Sequence, residues 1–139
     1  MHYVDNIQVG HKVTHQEIIT EKLHQTFGEL SGDLSPIHTD LRFCQANGYE
    51  KKIGYAFLIT TLLSKIYGTI FPGGSELCLK QSCLFKNPYF VGDILNFELV
   101  VSHKNDSLKL LTLEIKVFNQ NQKKIFDGQA EMLLTLKNP

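Results

Sequence analysis

The sequence predicts one α+β domain in which an antiparallel sheet meets a single long helix. Three observations lead there. A tract at residues 53–71 is apolar around most of a helical circumference. The chain after it breaks into four strand-like runs separated by turn residues. One of these runs, Leu111-Thr112-Leu113-Glu114-Ile115-Lys116-Val117, alternates apolar and polar residues, the period of a sheet with one buried face. With 139 residues and 42% hydrophobic content, positions 1–139 read as one domain that can bury a core without disulfides or metals.

The elements follow in order. Residues 12–20 carry the β-branched residues of a first strand. Thr20 then offers an N-cap, Glu21 places a negative charge in the first turn, and Leu23 and Phe27 form an apolar i, i+4 pair before Gly28. Residues 29–37 mix Gly, Asp, Ser and Pro, which favour a shaped loop and oppose a regular element. Thr39 or Asp40 can cap a second short helix that runs to Asn47 and stops at Gly48. In the main helix, residues 53–71, the apolar positions Phe57, Leu58, Ile59, Leu62, Leu63, Ile66, Tyr67 and Ile70 leave a narrow polar stripe, so other elements must wrap it. Pro72-Gly73-Gly74 ends it, and strands are expected at residues 76–85, 94–102, 108–119 and 123–136. A sheet curled around a central helix and a sandwich with segregated layers share this order, and periodicity does not choose between them.

Fourteen basic and fourteen acidic side chains cancel, so no net field draws the protein to nucleic acid or to an anionic membrane. Thr60, Thr61, Ser64 and Lys65 interrupt the long apolar tract and argue against a membrane span, and the N-terminus shows no secretory pattern. Cys44, Cys78 and Cys83 are odd in number and lack zinc spacing, which suits a reduced, cytoplasmic protein with small, buried or half-buried thiols. His2, His11, His15, His24 and His103 stand apart from one another and read as surface residues, with no metal expected. Lys80, Lys86, Lys104 and Lys109 are scattered as on solvated strand faces.

Chemistry concentrates in L-S-G-D-L-S-P-I-H-T-D, residues 30–40, where Asp33 and His38 stand five residues apart with Pro36 stiffening the loop. A carboxylate and an imidazole sharing one water can remove a proton and return one, as hydration and dehydration require. The same D-x-x-P-x-H spacing also describes an Asx-turn followed by a surface histidine.

The loop S-G-D-x-S-P-I-H-x-D resembles the signature of the MaoC-like (R)-specific enoyl-CoA hydratases, usually S-G-D-x-N-P-x-H-x-D. Phe71-Pro72-Gly73-Gly74 is similar to the family's L-P-G turn, and residues 81–88 with Val91-Gly92-Asp93 are similar to its Q-S-x-x-F-x-x-P and V-G-D motifs. The resemblance implies a hotdog fold, an antiparallel sheet wrapped around a long central helix, in a homodimer or higher homo-oligomer. It implies an acyl thioester of coenzyme A or acyl carrier protein in a tunnel near the dimer interface, with no metal or redox cofactor. Asp33 and His38 would then activate a water that adds to C3 of a trans-2-enoyl thioester, or dehydrate an (R)-3-hydroxyacyl thioester in reverse. Ala56 aligns with the family's oxyanion glycine, and Ser64, eight residues on, matches a serine that accompanies the site; a buried helical serine also often bonds the carbonyl four residues back. This chain departs from the pattern at Ser35, where asparagine is usual, and at Gly54-Tyr55-Ala56-Phe57, where V-H-G-M is common. Ser35 is a shorter anchor for the loop, and Tyr55 and Ala56 border the expected thioester position. The rival readings are a hotdog thioesterase, against which the Asp-His loop argues, and a non-catalytic acyl-thioester binder, against which retention of both residues argues.

Overall fold

The computed structural model describes residues 6–134. The chain runs β1 (Lys12–Ile18), α1 (Glu21–Ser31), α2 (Pro36–Thr39), α3 (Leu41–Ala46), α4 (Ala56–Thr69), β2 (Leu77–Gln81), β3 (Leu84–Phe85), β4 (Ile94–Asn105), β5 (Leu110–Phe118) and β6 (Lys124–Leu133). The strands form one sheet in the order β1-β4-β5-β6-β2, with β3 also paired to β6. All of these pairings are antiparallel.

The period-2 pattern sets the core. Leu95, Phe97, Leu99 and Val101 of β4 and Leu111, Leu113, Ile115 and Val117 of β5 are buried, and the residues between them lie on the wetter face. Leu58, Ile59, Leu62, Leu63, Ile66 and Tyr67 of α4 join them in one hydrophobic cluster. Burying each Leu or Ile contributes about 1.5–3 kcal/mol, so the helix and the inner face of the sheet stabilise each other. The opposite side of α4 is uncovered: Thr61, Ser64 and Lys65 are exposed, as is Phe57 at 65%. The Phe57 ring meets Phe85 of β3 edge-on at 5.9 Å.

Several boundaries differ from the sequence reading. Helix α1 passes through Gly28 and ends at Gly32, which takes a left-handed conformation (φ 77°) and donates its N–H to Gly28 O. Pro36 opens the short helix α2 where an irregular loop was expected, as suits a proline whose missing N–H is unused in a first turn. Asp40, not Thr39, caps α3 by accepting from Phe43 N–H. Helix α4 begins at Ala56 because residues 53–55 are engaged elsewhere. Ile53 bridges to Phe90, and Gly54 N–H donates to Tyr89 O at 2.7 Å. The strand expected at residues 76–85 splits into β2 and β3 at Ser82, whose Oγ accepts from Gln129 N–H at 2.9 Å. Cys44 is buried as expected, whereas Cys78 and Cys83 are exposed on this interrupted outer strand. Position 136, the expected end of the last strand, lies outside the described residues.

Two motifs have structural explanations. Gln81 Oε1 accepts from the hydroxyl of Tyr67, tying α4 to β2 at 2.7 Å. Asp93 is buried and accepts from Phe90 N–H and from Gln120 Nε2, each at 2.9 Å, which closes the turn before β4.

Gly54 admits no side chain, since an added Cβ would lie 2.2 Å from the Tyr89 ring. Gly54→Ala is therefore expected to lower unfolding stability by roughly 1–3 kcal/mol, the usual cost of overpacking, as read by denaturant unfolding. Wild-type stability would contradict this packing.

Candidate active site

The segment between α1 and α3 bends back on itself and brings Asp33 and His38 together. The Asx-turn read from D-x-x-P-x-H is present, but the surface histidine expected after it is not. Asp33 Oδ1 accepts from Ser35 N–H at 3.1 Å, the bond of an Asx-turn, and from Ser35 Oγ at 2.7 Å. The histidine that follows is no surface residue: His38 is only 8% exposed. Its Nε2 lies 3.7 Å from Asp33 Oδ2, beyond direct hydrogen-bond length, and an oxygen set to one side of the line joining them would be within reach of both.

The tautomer of His38 follows from its other nitrogen. Nδ1 lies 2.7 Å from the carbonyl of Ile53, and a carbonyl can only accept, so Nδ1 carries the hydrogen. In the neutral ring Nε2 then presents a lone pair towards Asp33. The Tyr55 ring stacks on the imidazole, with centroids 3.9 Å apart and planes 25° from parallel, fixing its plane. Asp33 has a different environment. Its side chain is 48% exposed, and the Ser35 hydroxyl, then the Ser35 amide, hold its carboxyl below the ordinary carboxylate value. One member is thus a solvated carboxylate and the other a mostly buried base with an assigned tautomer.

The remaining expected site residues separate. Ser35 is part of the loop and bonds Asp33 directly, so it anchors the carboxylate despite its short reach. Ala56 opens α4, and Tyr55 before it supplies no side-chain cap, so the first-turn N–H groups carry the positive end of the helix dipole. Tyr55 itself turns inward. It is 3% exposed, its hydroxyl donates to Asp33 O at 2.5 Å, and burial raises its pKa. Ser64 is exposed on the uncovered side of α4, about 12 Å along the helix from Ala56. Its side chain makes no hydrogen bond among the described residues, unlike that of Thr61, which bonds the carbonyl four residues back.

His24 was expected at the surface and is buried, 2% exposed. It lies on the inner stripe of α1 with Leu23, Phe27 and Gly28, and its Nε2 is 2.7 Å from the carbonyl of His38. The signal that locates it is Gly28, one turn along the same stripe, which marks a close approach and not a helix end. A Cβ at Gly28 would lie 2.5 Å from the Tyr55 hydroxyl oxygen. His2 lies outside the described residues.

A cavity of about 140 Å³, lined by His24, Gln25, Glu29, Leu34, His38, Thr39 and Lys52, opens beside His38. A larger depression of about 560 Å³ on the outer face of the sheet is lined by Lys12, Glu98, Val100, Glu114 and Lys116. Its carboxylates are engaged, Glu98 with Lys12 at 3.5 Å and Glu114 with Gln129 at 2.7 Å, so it lacks a facing acid and base. Among the described residues no group of three or more His, Cys, Asp or Glu side chains could hold a metal, and no helix is long and apolar enough to cross a membrane.

Comparison with known proteins gives the family and the fold. The family described as MaoC like domain matches residues 6–121. An (R)-specific enoyl-CoA hydratase of Aeromonas caviae is 30% identical over 129 residues, 93% of this chain and 96% of that protein. A mitochondrial 3-hydroxyacyl-[acyl-carrier-protein] dehydratase of Arabidopsis thaliana is 24% identical over 92% of this chain and 78% of its own length. Among solved structures, the unliganded R-hydratase PhaJ1 of Pseudomonas aeruginosa superposes with a TM-score of 0.90 at 30% identity, covering 97% of this chain and 86% of that one. The sheet wrapped on α4 is the hotdog fold, and the chain belongs to the MaoC-like family of hydratases and dehydratases.

Proposed function

We propose that the protein hydrates trans-2-enoyl thioesters to (R)-3-hydroxyacyl thioesters, and catalyses the reverse dehydration, with Asp33 and His38 as its acid–base pair. The observation that carries the reading is the His38 tautomer: with Nδ1–H committed to Ile53 O, the Nε2 lone pair faces the Asp33 carboxylate across 3.7 Å. A water held there donates one hydrogen to Asp33 Oδ2 and yields its other proton to Nε2 as its oxygen bonds to C3. The imidazolium so formed is stabilised by the carboxylate and returns the proton to C2, so that one water is added and His38 is neutral again. Negative charge passes through the thioester oxygen, and the Ala56 N–H at the start of α4 is the donor proposed for it. The thioester carrier is coenzyme A or acyl carrier protein, and no metal or redox cofactor takes part.

The acting unit in this reading is a homodimer or higher homo-oligomer in the cytoplasm. Phe57 on the uncovered face of α4 adjoins Phe85 of β3, and Leu77, Leu79 and Leu84 of β2 and β3 are exposed at 46%, 55% and 54%. A second copy covering this face would remove the apolar surface from water and enclose an acyl chain beside Phe57 and Ser64.

Asp33→Asn and His38→Ala are each expected to lower turnover of a trans-2-enoyl-CoA by roughly 10²–10⁴-fold with the fold retained, as read by enoyl absorbance and circular dichroism. Near-wild-type turnover in either variant would refute the assigned roles. Ser35→Ala removes the stronger bond to the carboxylate, so the Asp33 carboxyl should titrate at higher pH than in the wild type, moving towards the ordinary value. Carbonyl-carbon NMR through acid pH reads this directly, and an unmoved midpoint would contradict the role of Ser35.

A further inference from the structure

The catalytic pair is held from beneath by two buried rings that belong to neither member. Tyr55 donates its hydroxyl to the backbone carbonyl of Asp33 at 2.5 Å. His24 approaches the backbone carbonyl of His38 at 2.7 Å through Nε2, which must therefore carry the hydrogen. The two rings touch, with centroids 4.8 Å apart, and Phe27 packs on Tyr55 at 4.9 Å. Each carbonyl of the pair thus has its own donor, and the donors are packed on each other.

We propose that His24 and Tyr55 are positioning residues, a two-point brace that fixes the backbone at Asp33 and at His38 separately and so sets the separation between Oδ2 and Nε2. The inference rests on reading Asp33 and His38 as the acid–base pair. The outer side of the loop cannot do this work, since Leu34, Ile37 and Leu41 are exposed at 64%, 38% and 45%. The loop's bonds to itself are local ones, such as Ser35 to Asp33 and Thr39 to Ser35 O, and Ile53 ties Ile37 O and the His38 ring without reaching the carbonyl of either catalytic residue. Rigidity has to come from the buried side, where the hydrogen bonds from His24 and Tyr55 reach the two residues' own carbonyls.

Two further observations fit a brace and not general packing. Gly28 lies inside α1, where glycine is a poor helix former, and a Cβ there would fall 2.5 Å from the Tyr55 hydroxyl oxygen and 3.7 Å from Asp33 O. The glycine clears the seat of that hydroxyl. His24 Nδ1, in turn, is buried without a hydrogen-bond partner among the described residues. A leucine would fill such a core position without leaving a polar atom unmatched, so what the histidine adds is its one donated bond to His38 O. Burial also lowers the His24 pKa, which favours the neutral ring with a single N–H.

The test measures kcat and KM for a short trans-2-enoyl-CoA, together with backbone amide exchange at His38, in full-length variants. Tyr55→Phe keeps the ring on His38 and deletes only the hydroxyl. His24→Leu deletes the other donor, and His24→Gln restores an N–H of similar reach. Misplacement of reacting groups by about 1 Å can cost about 10²-fold, so Tyr55→Phe and His24→Leu should each lower kcat by roughly 10-fold or more, with KM within about threefold. His24→Gln should recover most of the loss, and amide exchange at His38 should quicken in Tyr55→Phe and His24→Leu alone. Gly28→Ala should lower kcat in the wild-type background but have little further effect in the Tyr55→Phe background, the coupling expected of groups in contact.

Wild-type kcat in Tyr55→Phe and His24→Leu would overturn the proposal. So would a rise in KM with kcat intact, which would make Tyr55 a substrate contact, or full additivity of Gly28→Ala and Tyr55→Phe. Absence of hydration by the wild type would instead refute the proposed function. In that event unchanged amide exchange at His38 in both variants refutes the brace, and quickened exchange supports it.

Discussion

The site depends on three residues that join a loop, a helix and the sheet. Ile53 N–H donates to Ile37 O at 3.0 Å, and Ile53 O accepts from the His38 ring at 2.7 Å. Gly54 N–H donates to Tyr89 O, and Tyr55 O accepts from the Tyr89 hydroxyl at 2.5 Å. The segment is thus tied to the Asp33–His38 loop on one side and to the chain entering β4 on the other, and Ala56 begins α4 directly after it. Since α4 is locked into the sheet by its buried face, the imidazole, the helix N-terminus and the core share one frame. The turn closed by Asp93 belongs to the same system, because it carries Phe90, the bridge partner of Ile53.

That frame explains how Asp33 and His38 come to have distinct environments. A backbone acceptor selects the proton position on His38, and a neighbouring hydroxyl and amide stabilise the ionised form of Asp33. Neither effect needs a metal or a strongly buried charge. What it needs is geometry, which bonds to carbonyls at Ile53, His38 and Asp33 supply from three directions. Two of the departures from the family pattern fall in this layer. Ser35 still reaches the carboxylate, and Tyr55 spends its hydroxyl inside the protein, on the loop.

Much of this was legible in the sequence because the signals were local. The alternation in β5, the apolar stripe of α4 and the Thr20 cap each predict their own structure with little help from distant residues. The errors arose where a distant partner decided the outcome. Residues 53–55 continue an apolar helical pattern, yet pairing with Tyr89 and Phe90 holds them extended. Gly28 reads as a stop until Tyr55, far along the chain, is seen to need its space. His24 looked isolated because its partner is a backbone carbonyl, which no residue-type motif records. Phe57 scores as core by composition but sits on the face of α4 that this chain leaves open.

The most direct test of the account is to incubate the wild-type protein with trans-2-butenoyl-CoA and follow three things together: enoyl absorbance, free thiol, and the configuration of any 3-hydroxy product. The account predicts loss of absorbance, no thiol release, and an (R)-3-hydroxyacyl thioester. Thiol release without hydration would identify a thioesterase, an (S) product would contradict the proposed (R)-specific hydration, and binding without any reaction would contradict the Asp33–His38 mechanism itself.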